Sequence, residues 1–355
     1  MIKLSIINSK GTFDITNLVQ TITWSGDYQA CARTLDFDLT TSYTDKNVST
    51  VICELGNRVI FKQDSRTLFD GFVFERQKNT GNSVINITCY DRGIYLKRNE
   101  ASYKFTGITP EAITKKICSD FGIDIGKVAT TGVKVKRNFI GVGLYNIIMT
   151  AYTLASDETG KQYMLRFDGA KLSVIEKKVT DETLIIEGGV NLMSASTSES
   201  ITNMVNQVAI YNSKDVLVKT VKDNEAIKSY GLMQSYLKQP DKENVTGKAK
   251  KILSDNGISQ KITLNNLGNI ANIAGGTVVL REPYTKLYGL FYIDADVHTW
   301  KLGQYYNKLT INFKNIMDEQ EAGSLPNKDG KSTKGKSGVS GTWDYLYKPG
   351  GVKNG

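Results

Sequence analysis

The sequence predicts a β-rich α+β chain of several domains, with two related β regions flanking an α+β middle and a flexible C-terminal tail. Three observations predict it. At 355 residues the chain exceeds one ordinary hydrophobic core, so two to four domains are expected. Period-two alternation of apolar residues dominates both ends, whereas helical spacing is confined to the middle and to one later segment. A short β pattern also occurs twice: GNRVIFKQDSRTLFDGFVFERQKNTGNSVINITCYD from Gly56 to Asp91, and GGTVVLREPYTKLYGLFYIDADVHTWKLGQYYNKLTINFK from Gly275 to Lys314. Each copy runs glycine, apolar strand, turn, apolar-x-Gly-apolar strand, polar loop, alternating strand. Gly71 and Gly289 are the structural turn glycines expected to hold equivalent places in the two copies.

Residues 1–97 read as the first β domain. Ile2, Leu4 and Ile6 alternate with Lys3 and Ser5, and Leu35, Phe37 and Leu39 alternate with Asp36 and Asp38. Asp64-Ser65-Arg66 and Asn79-Thr80-Gly81-Asn82 supply turns between further short strands, a spacing that suggests a barrel or sandwich. Residues 98–190 read as an α+β domain of two helices and a hairpin. Thr109-Pro110-Glu111 is a helix start: a capping Thr, Pro at the first helical position, and an acid near the positive end of the dipole. Ile113, Ile117 and Phe121 follow at helical spacing, and Gly122 ends the helix. Leu144, Ile147, Ile148, Ala151 and Ala155 form the apolar face of a second helix. After Gly160, KQYMLRFDGAKLSVIEKK is a hairpin expected to turn at Asp168-Gly169. Residues 191–322 read as the second β domain. MVNQVAIYN and YGLMQSYLK are strand-like, and a helix at about 243–256 is marked by Val245, Ala249, Ile252 and Leu253 on one face. Residues 323–355 are a Gly/Lys/Ser tail that cannot bury enough apolar surface to fold alone. It nevertheless carries Trp343, Tyr345, Leu346 and Tyr347 in one cluster, which either docks back on the chain or anchors a partner on a tether.

Composition excludes several classes. No apolar run approaches the roughly 20 residues of a membrane helix. MIKLSIINSKGTFDIT reads as a strand and lacks the features of a signal peptide. Cys31, Cys53, Cys89 and Cys118 form no CxxC, and a single histidine, His298, is available to help them, so zinc is not expected and reduced core thiols are. The net charge is +9, to which the six lysines and two aspartates from Asn327 onward contribute +4. The remainder is an ordinary solvated surface with no arginine-aromatic stripe for nucleic acid.

No catalytic set assembles either. Any Ser-His-Asp or Cys-His site must use His298, which lies in the alternating YIDADVHTW and reads as one more strand side chain. Asp181-Glu182 and Asp294/Asp296 are carboxylate pairs of the kind glycoside hydrolysis uses, but nothing sets either pair across a cleft. Gly141-Val142-Gly143 precedes a helix, but the third glycine of GxGxxG falls at Asn146, so it reads as a turn. The expectation is a non-enzyme without cofactor or metal. A carbohydrate- or cell-wall-binding β protein is the alternative, and a wall hydrolase the weaker one.

In chain order, TWSGDYQACARTLDFDL, LGNRVIFK, LFDGFVFERQ, ITCYDRGIYLKRN, TPEAITKKICSDFGI, LYNIIMTAYTLASDETGKQYMLRFDGAKLSVIE and YGLMQSYLKQPDKENVTGKAKKIL resemble the baseplate hub proteins of contractile phage tails, defective prophages and phage-tail-like bacteriocins, the late-control protein D-like group. The resemblance covers roughly residues 1–317. It implies two tail-tube-like β-barrels per chain and a homotrimer with a central channel that adapts the sixfold tail tube to the threefold spike. The implied partners are tube and spike proteins, with tape-measure and baseplate wedge proteins beside them. The implied location is the tail particle, assembled in the bacterial host cytoplasm. Hubs with a fused wall hydrolase differ from this chain, which has only the tail after residue 317.

Overall fold

The computed structural model describes residues 1–40, 51–78, 84–179, 183–240 and 244–326. The first region holds β1 (Ile2–Asn8), β2 (Gly11–Asp14), β3 (Val19–Asp27), β4 (Thr34–Thr40), β5 (Arg58–Gln63), β6 (Arg66–Lys78) and β7 (Val84–Asp91). The middle holds α1 (Gly93–Arg98), β8 (Glu100–Ile108), α2 (Pro110–Asp120), β9 (Ile125–Val128), β10 (Val135–Gly143), α3 (Leu144–Thr159), β11 (Tyr163–Asp168) and β12 (Lys171–Glu176). The last region holds β13 (Leu184–Glu187), β14 (Leu192–Ser200), β15 (Gln207–Tyr211), β16 (Leu217–Lys222), α4 (Asn224–Tyr230), β17 (Gln234–Lys238), α5 (Thr246–Asp255), β18 (Ser259–Leu267), β19 (Thr277–Glu282), β20 (Leu287–Lys301) and β21 (Gln304–Asn312).

The two β regions share one 13-stranded sheet, in the order β14-β18-β21-β20-β3-β4-β7-β6-β5-β1-β2, with β19 beside β20 and β13 beside β19. Alternation on β4 buries Leu35, Phe37 and Leu39, and the same rule on β7 buries Ile85, Ile87 and Cys89. With Leu4, Ile6, Trp24, Phe61, Phe69 and Val73 they form the core of the first region. The core of the second is smaller and largely aliphatic, built from Ile186, Ile262, Leu264, Val278, Leu280, Phe291, Ile293, Leu309 and Ile311. All four cysteines are buried free thiols.

Pairing registers show how far the two regions repeat one another. Val59 faces Gly71 across β5·β6, and Val278 faces Phe291 across β19·β20. Val73 exchanges backbone bonds with Gly56 and Asn57 (2.8 and 2.9 Å), as Ile293 does with Gly275 and Gly276 (both 2.9 Å). A bulge then follows in each long strand, between Val73 and Glu75 in one and between Ile293 and Ala295 in the other. The echo is therefore structural, but its glycines do not coincide: Gly71 corresponds to Phe291, and Gly289 to Phe69. Neither is a turn glycine, because both lie inside strands. A Cβ on Gly71 would sit 2.2 Å from the carbonyl oxygen of Tyr90, whereas Gly289 has open space around it and φ of +123°. Gly71 serves close packing, and Gly289 serves backbone conformation. The repeat also breaks at its margin, where β1 runs antiparallel to β5 but β13 runs parallel to β19.

In the middle, α2 and α3 pack with β8·β10 and with the β9-β12-β11 sheet around Ile113, Ile117, Leu144, Ile148, Tyr152 and Leu165. Gly160 ends α3 in the left-handed conformation (φ 70°). Thr109 holds the cap position of α2 but makes no capping bond to a backbone N–H; its hydroxyl turns to Glu111. The hairpin β11·β12 turns at Gly169-Ala170, one residue later than expected, because Asp168 still pairs with Lys171. Between β14 and β18 the expected helix, α5, comes with the three-stranded sheet β16-β15-β17 and with α4. Val245, Ala249, Val208 and Ile210 make its small separate core. YGLMQSYLK is divided there: Tyr230 ends α4 and Gln234 begins β17.

Candidate assembly interface

The place where the two β regions meet is set by β20. Its first half pairs with β19, and its second half leaves β19 and pairs antiparallel with β3, from Ala295↔Asp27 to Lys301↔Thr21. The strand is long enough to do both because alternation persists past the bulge, burying Ile293, Asp296, His298 and Trp300. Two of these inward residues are polar, so the junction must satisfy them internally.

Asp296 is fully buried and its carboxylate accepts both terminal nitrogens of Arg33 from the β3–β4 side, together with the Ala274 N–H at 2.6 Å. Burial alone would raise this carboxyl, but Arg33 and then His298 hold it below the usual carboxylate range. The Arg33 guanidinium lies over the Trp24 ring, 3.9 Å from its centroid. It fills the space where a Cβ on Gly26 would lie, which explains the glycine there.

His298 is also fully buried. The Asn269 N–H donates to Asn307 Oδ1 (2.7 Å), which orients the amide so that Asn307 Nδ2 donates to His298 Nδ1 (2.8 Å). Tyr305 Oη lies 2.7 Å from the same nitrogen. The imidazole proton therefore belongs on Nε2, which faces the Asn272 carbonyl at 3.1 Å and Asp296 at 3.2 Å. The ring is stacked in a row with Trp300 and Tyr305. His298 is thus a structural strand histidine, sealed from any substrate. The only strong sequence signal for this cluster was the pattern D-x-D-x-H on one strand. Arg33 could not have been matched to Asp296 without the pairing of β3 with β20.

Asp294 occupies the β20 bulge and faces the other way, toward Lys177 (3.9 Å) and Asn312 (3.2 Å). Burial pushes its carboxyl up to about 6, against the pull of Lys177. Two carboxylates driven in opposite directions is a pattern used in acid–base catalysis. Here the cause is burial on one side and an arginine on the other, with both residues under 10% exposed. Asp181-Glu182 lies outside the described residues, as does the Trp343, Tyr345, Leu346 and Tyr347 cluster. Among the described residues no group of His, Cys, Asp and Glu could hold a metal, and no helix is long and apolar enough to cross a membrane.

Several strand edges in the same sheet carry no neighbouring strand among the described residues, the outer edges of β2 and β13 among them. Another is the outer edge of β14, whose burial pattern is almost wholly exposed.

Comparison with known proteins fits this architecture. The chain is 25% identical over 328 residues to the phage-like element PBSX protein XkdQ of Bacillus subtilis (strain 168), across 90% of this chain and 99% of that protein. Its fold matches the 43 kDa tail protein of prophage MuSo2 from Shewanella oneidensis with a TM-score of 0.67 at 12% identity, over 87% of this chain and 98% of the other. It also matches the E. coli c3393 protein, a type VI secretion component described as similar to the T4 tail proteins gp27 and gp5, with a TM-score of 0.52 at 11% identity over 87% of this chain and 76% of that one. A profile of YQBQ-like proteins matches residues 22–312. The fold is shared with phage tail proteins, and this chain belongs to the YQBQ-like family.

Proposed function

We propose that the chain is a non-enzymatic baseplate hub of the late-control protein D-like kind, acting as a homotrimer that joins a sixfold tail tube to a threefold spike around a central channel. The observation that carries this reading is the β3·β20 join. Two β regions with matching strand registers and matching bulges sit side by side in one sheet, so each chain presents the same unit twice. Three chains then present six similar β-barrel units upward while keeping threefold symmetry below. The resemblance to XkdQ and the fold shared with a protein likened to gp27 and gp5 support tube and spike subunits as partners, with tape-measure and wedge proteins nearby and the tail particle as the location. The aromatic cluster from Trp343 to Tyr347 suits a tethered anchor for one of these partners.

The test is the mass of the full chain in solution, alone and mixed with its tube and spike subunits. A trimer that binds both is expected, and a strict monomer that binds neither sinks the reading. Removing residues 327–355 should leave the fold intact and weaken one partner contact; unchanged incorporation into particles would remove the anchor from the proposal.

A further inference from the structure

The pairing registers map one β unit onto the other strand by strand. β5, β6 and β7 correspond to β19, β20 and β21, and following the ladder onward makes β4 correspond to β18 and β3 to β14. Cys89 faces Leu35 and Leu35 faces Trp24, just as Ile311 faces Ile262 and Ile262 faces Thr197. Trp24 therefore maps to Thr197 and, past the bulges, Arg76 maps to Asp296. The two units differ most in one connection. β3 passes to β4 through residues 28–33, whereas β14 passes to β18 through residues 201–258. The first unit shows that the sheet forms without such an excursion.

The excursion is a body of its own on a narrow neck. Its described residues, 201–240 and 244–258, hold the sheet β16-β15-β17, α4, α5 and their separate small core. It leaves the main sheet at the last β14·β18 pair, Ser200↔Ser259, and its own structure begins where Val205 N–H bonds the Asn256 carbonyl (2.8 Å). Between those two points lie residues 201–204 and 257–258, which belong to no helix or strand. Gly257 has open space around it. Two short irregular connections side by side have the form of a hinge.

A second contact lies away from the neck. After β21 the chain runs as a strap across the middle region. Met317 is buried in the middle core, and Tyr145 Oη donates to Asp318 (2.8 Å). The Gln320 and Ala322 N–H groups donate to Thr153 and Thr150 Oγ1 (3.0 and 3.1 Å), and Ser324 exchanges two backbone bonds with Asn138 (2.8 and 2.9 Å). Residues 318, 320 and 322 thus face α3, and extended alternation turns Glu319 and Glu321 outward. These two meet α5 in antiparallel order, Glu319 with Lys251 (2.5 Å) and Glu321 with Lys248 (3.7 Å). Both lysines lie beside the apolar face of α5, so they can let go without disturbing the core around Val245 and Ala249. Asp157 of α3 and Asp255 of α5 add to the negative field at Lys251.

We propose that residues 201–258 form a lid hinged at 201–204 and 257–258, and that Glu319 and Glu321 of the strap latch it against the middle region. All four latch side chains are 43–76% exposed. Exposed ion pairs are individually weak and are screened by salt, so the latch opens and shuts without unfolding either body. Opening carries α5 away from the strap and bares a basic edge, Lys248 and Lys251, on one side and an acidic edge on the other. The device goes beyond the hub reading and does not depend on it.

The test uses the full chain with spin labels at Glu158→Cys on α3 and Lys250→Cys on α5, both exposed positions; the native thiols are buried. Pulsed electron paramagnetic resonance should show one short distance at low salt and a growing longer population at about 1 M salt, where screening acts beyond about 3 Å. Glu319→Lys with Glu321→Lys should lower the closed-to-open ratio about tenfold, and adding Lys248→Glu with Lys251→Glu should restore it. Glu319→Gln with Glu321→Gln is the milder variant, and it decides together with the salt series if charge reversal impairs folding. A single distance that ignores salt and substitution means that the lid is rigidly packed, and overturns the proposal. A broad distribution already present at low salt and unmoved by the variants overturns it too, because nothing then latches the lid.

Discussion

The edges of β3 and β14 occupy the same place in the two β units and have opposite characters. β3 buries Ile22 and Trp24 and is covered along its length by β20. β14 has Ala195 and Thr197 at the mapped positions and is exposed almost throughout. A strand that is covered as soon as the chain folds can carry a tryptophan. A strand whose outer side stays exposed is kept small and polar, which limits its tendency to aggregate. The difference teaches that the β3·β20 join belongs to folding, whereas the outer edge of β14 adds little to the core.

The largest effect should come from breaking the permanent join. Asp296→Ala leaves Arg33 uncompensated in a nearly buried site and strips the Ala274 N–H of its acceptor. A loss of about 3–5 kcal/mol in chemical denaturation is expected. The corresponding change on the other unit, Arg76→Ala, should leave monomer stability within about 0.5 kcal/mol, since that side chain is exposed. Equal losses would mean that the two edges do not differ in the way described. Trp24→Ala should cost about 3–5 kcal/mol and Thr197→Ala next to nothing, measured in the same way.

The two glycines sharpen the comparison at a smaller scale. Gly71→Ala pushes a methyl group into the Tyr90 carbonyl and should destabilise by about 1–3 kcal/mol. Gly289→Ala meets no atom and should cost about 1–2 kcal/mol through its positive φ alone. Crystal structures of the two variants would separate steric from conformational strain: a displaced β7 is expected only for the first.

The smallest effect concerns protons. Asp294 fills the bulge position that Phe74 fills in the first unit, and burial raises its carboxyl to about 6; burial likewise raises Asp91 to about 7. Both folded values lie above the unfolded one, so their contribution to stability is complete below about pH 4 and is lost as pH rises through 6 to 7. Asp296 has the opposite sign, with its contribution present at neutral pH and lost in acid. Asp294→Asn should flatten the decline between pH 4 and 6 by on the order of 1–2 kcal/mol, seen as a shallower pH dependence of the denaturation midpoint. An unchanged profile would show that the carboxyl titrates normally.

Much of the fold was legible because the relevant signals are local. Alternation at Leu35, Phe37 and Leu39, helical spacing from Ile113 to Ile117, and the glycines at 122 and 160 each act within a few residues. The echo was visible too, but its register was not. Glycine between apolar residues is common in strands, and only the pairing of Val59 and Val278 reveals that Gly71 and Gly289 are two positions out of step. The strands β15 to β17 were partly hidden because β16 is largely exposed and breaks the alternation rule, while β17 alternates in burial but sets Tyr236 on its exposed side. The polar cluster was legible only along its own strand, as the pattern D-x-D-x-H. Arg33 and Asp296 are 263 positions apart in sequence, and no local pattern links them.

β20 can also be viewed as a mechanical part. A strand of 15 residues is about 50 Å long, and it is common to both β units. Its seven register pairs with β3 run antiparallel, with their bonds perpendicular to the strand. A load along the strand direction therefore strains all of those bonds together instead of peeling them singly. The two units are coupled by a shear joint, which resists sliding far better than a corner contact of equal area would.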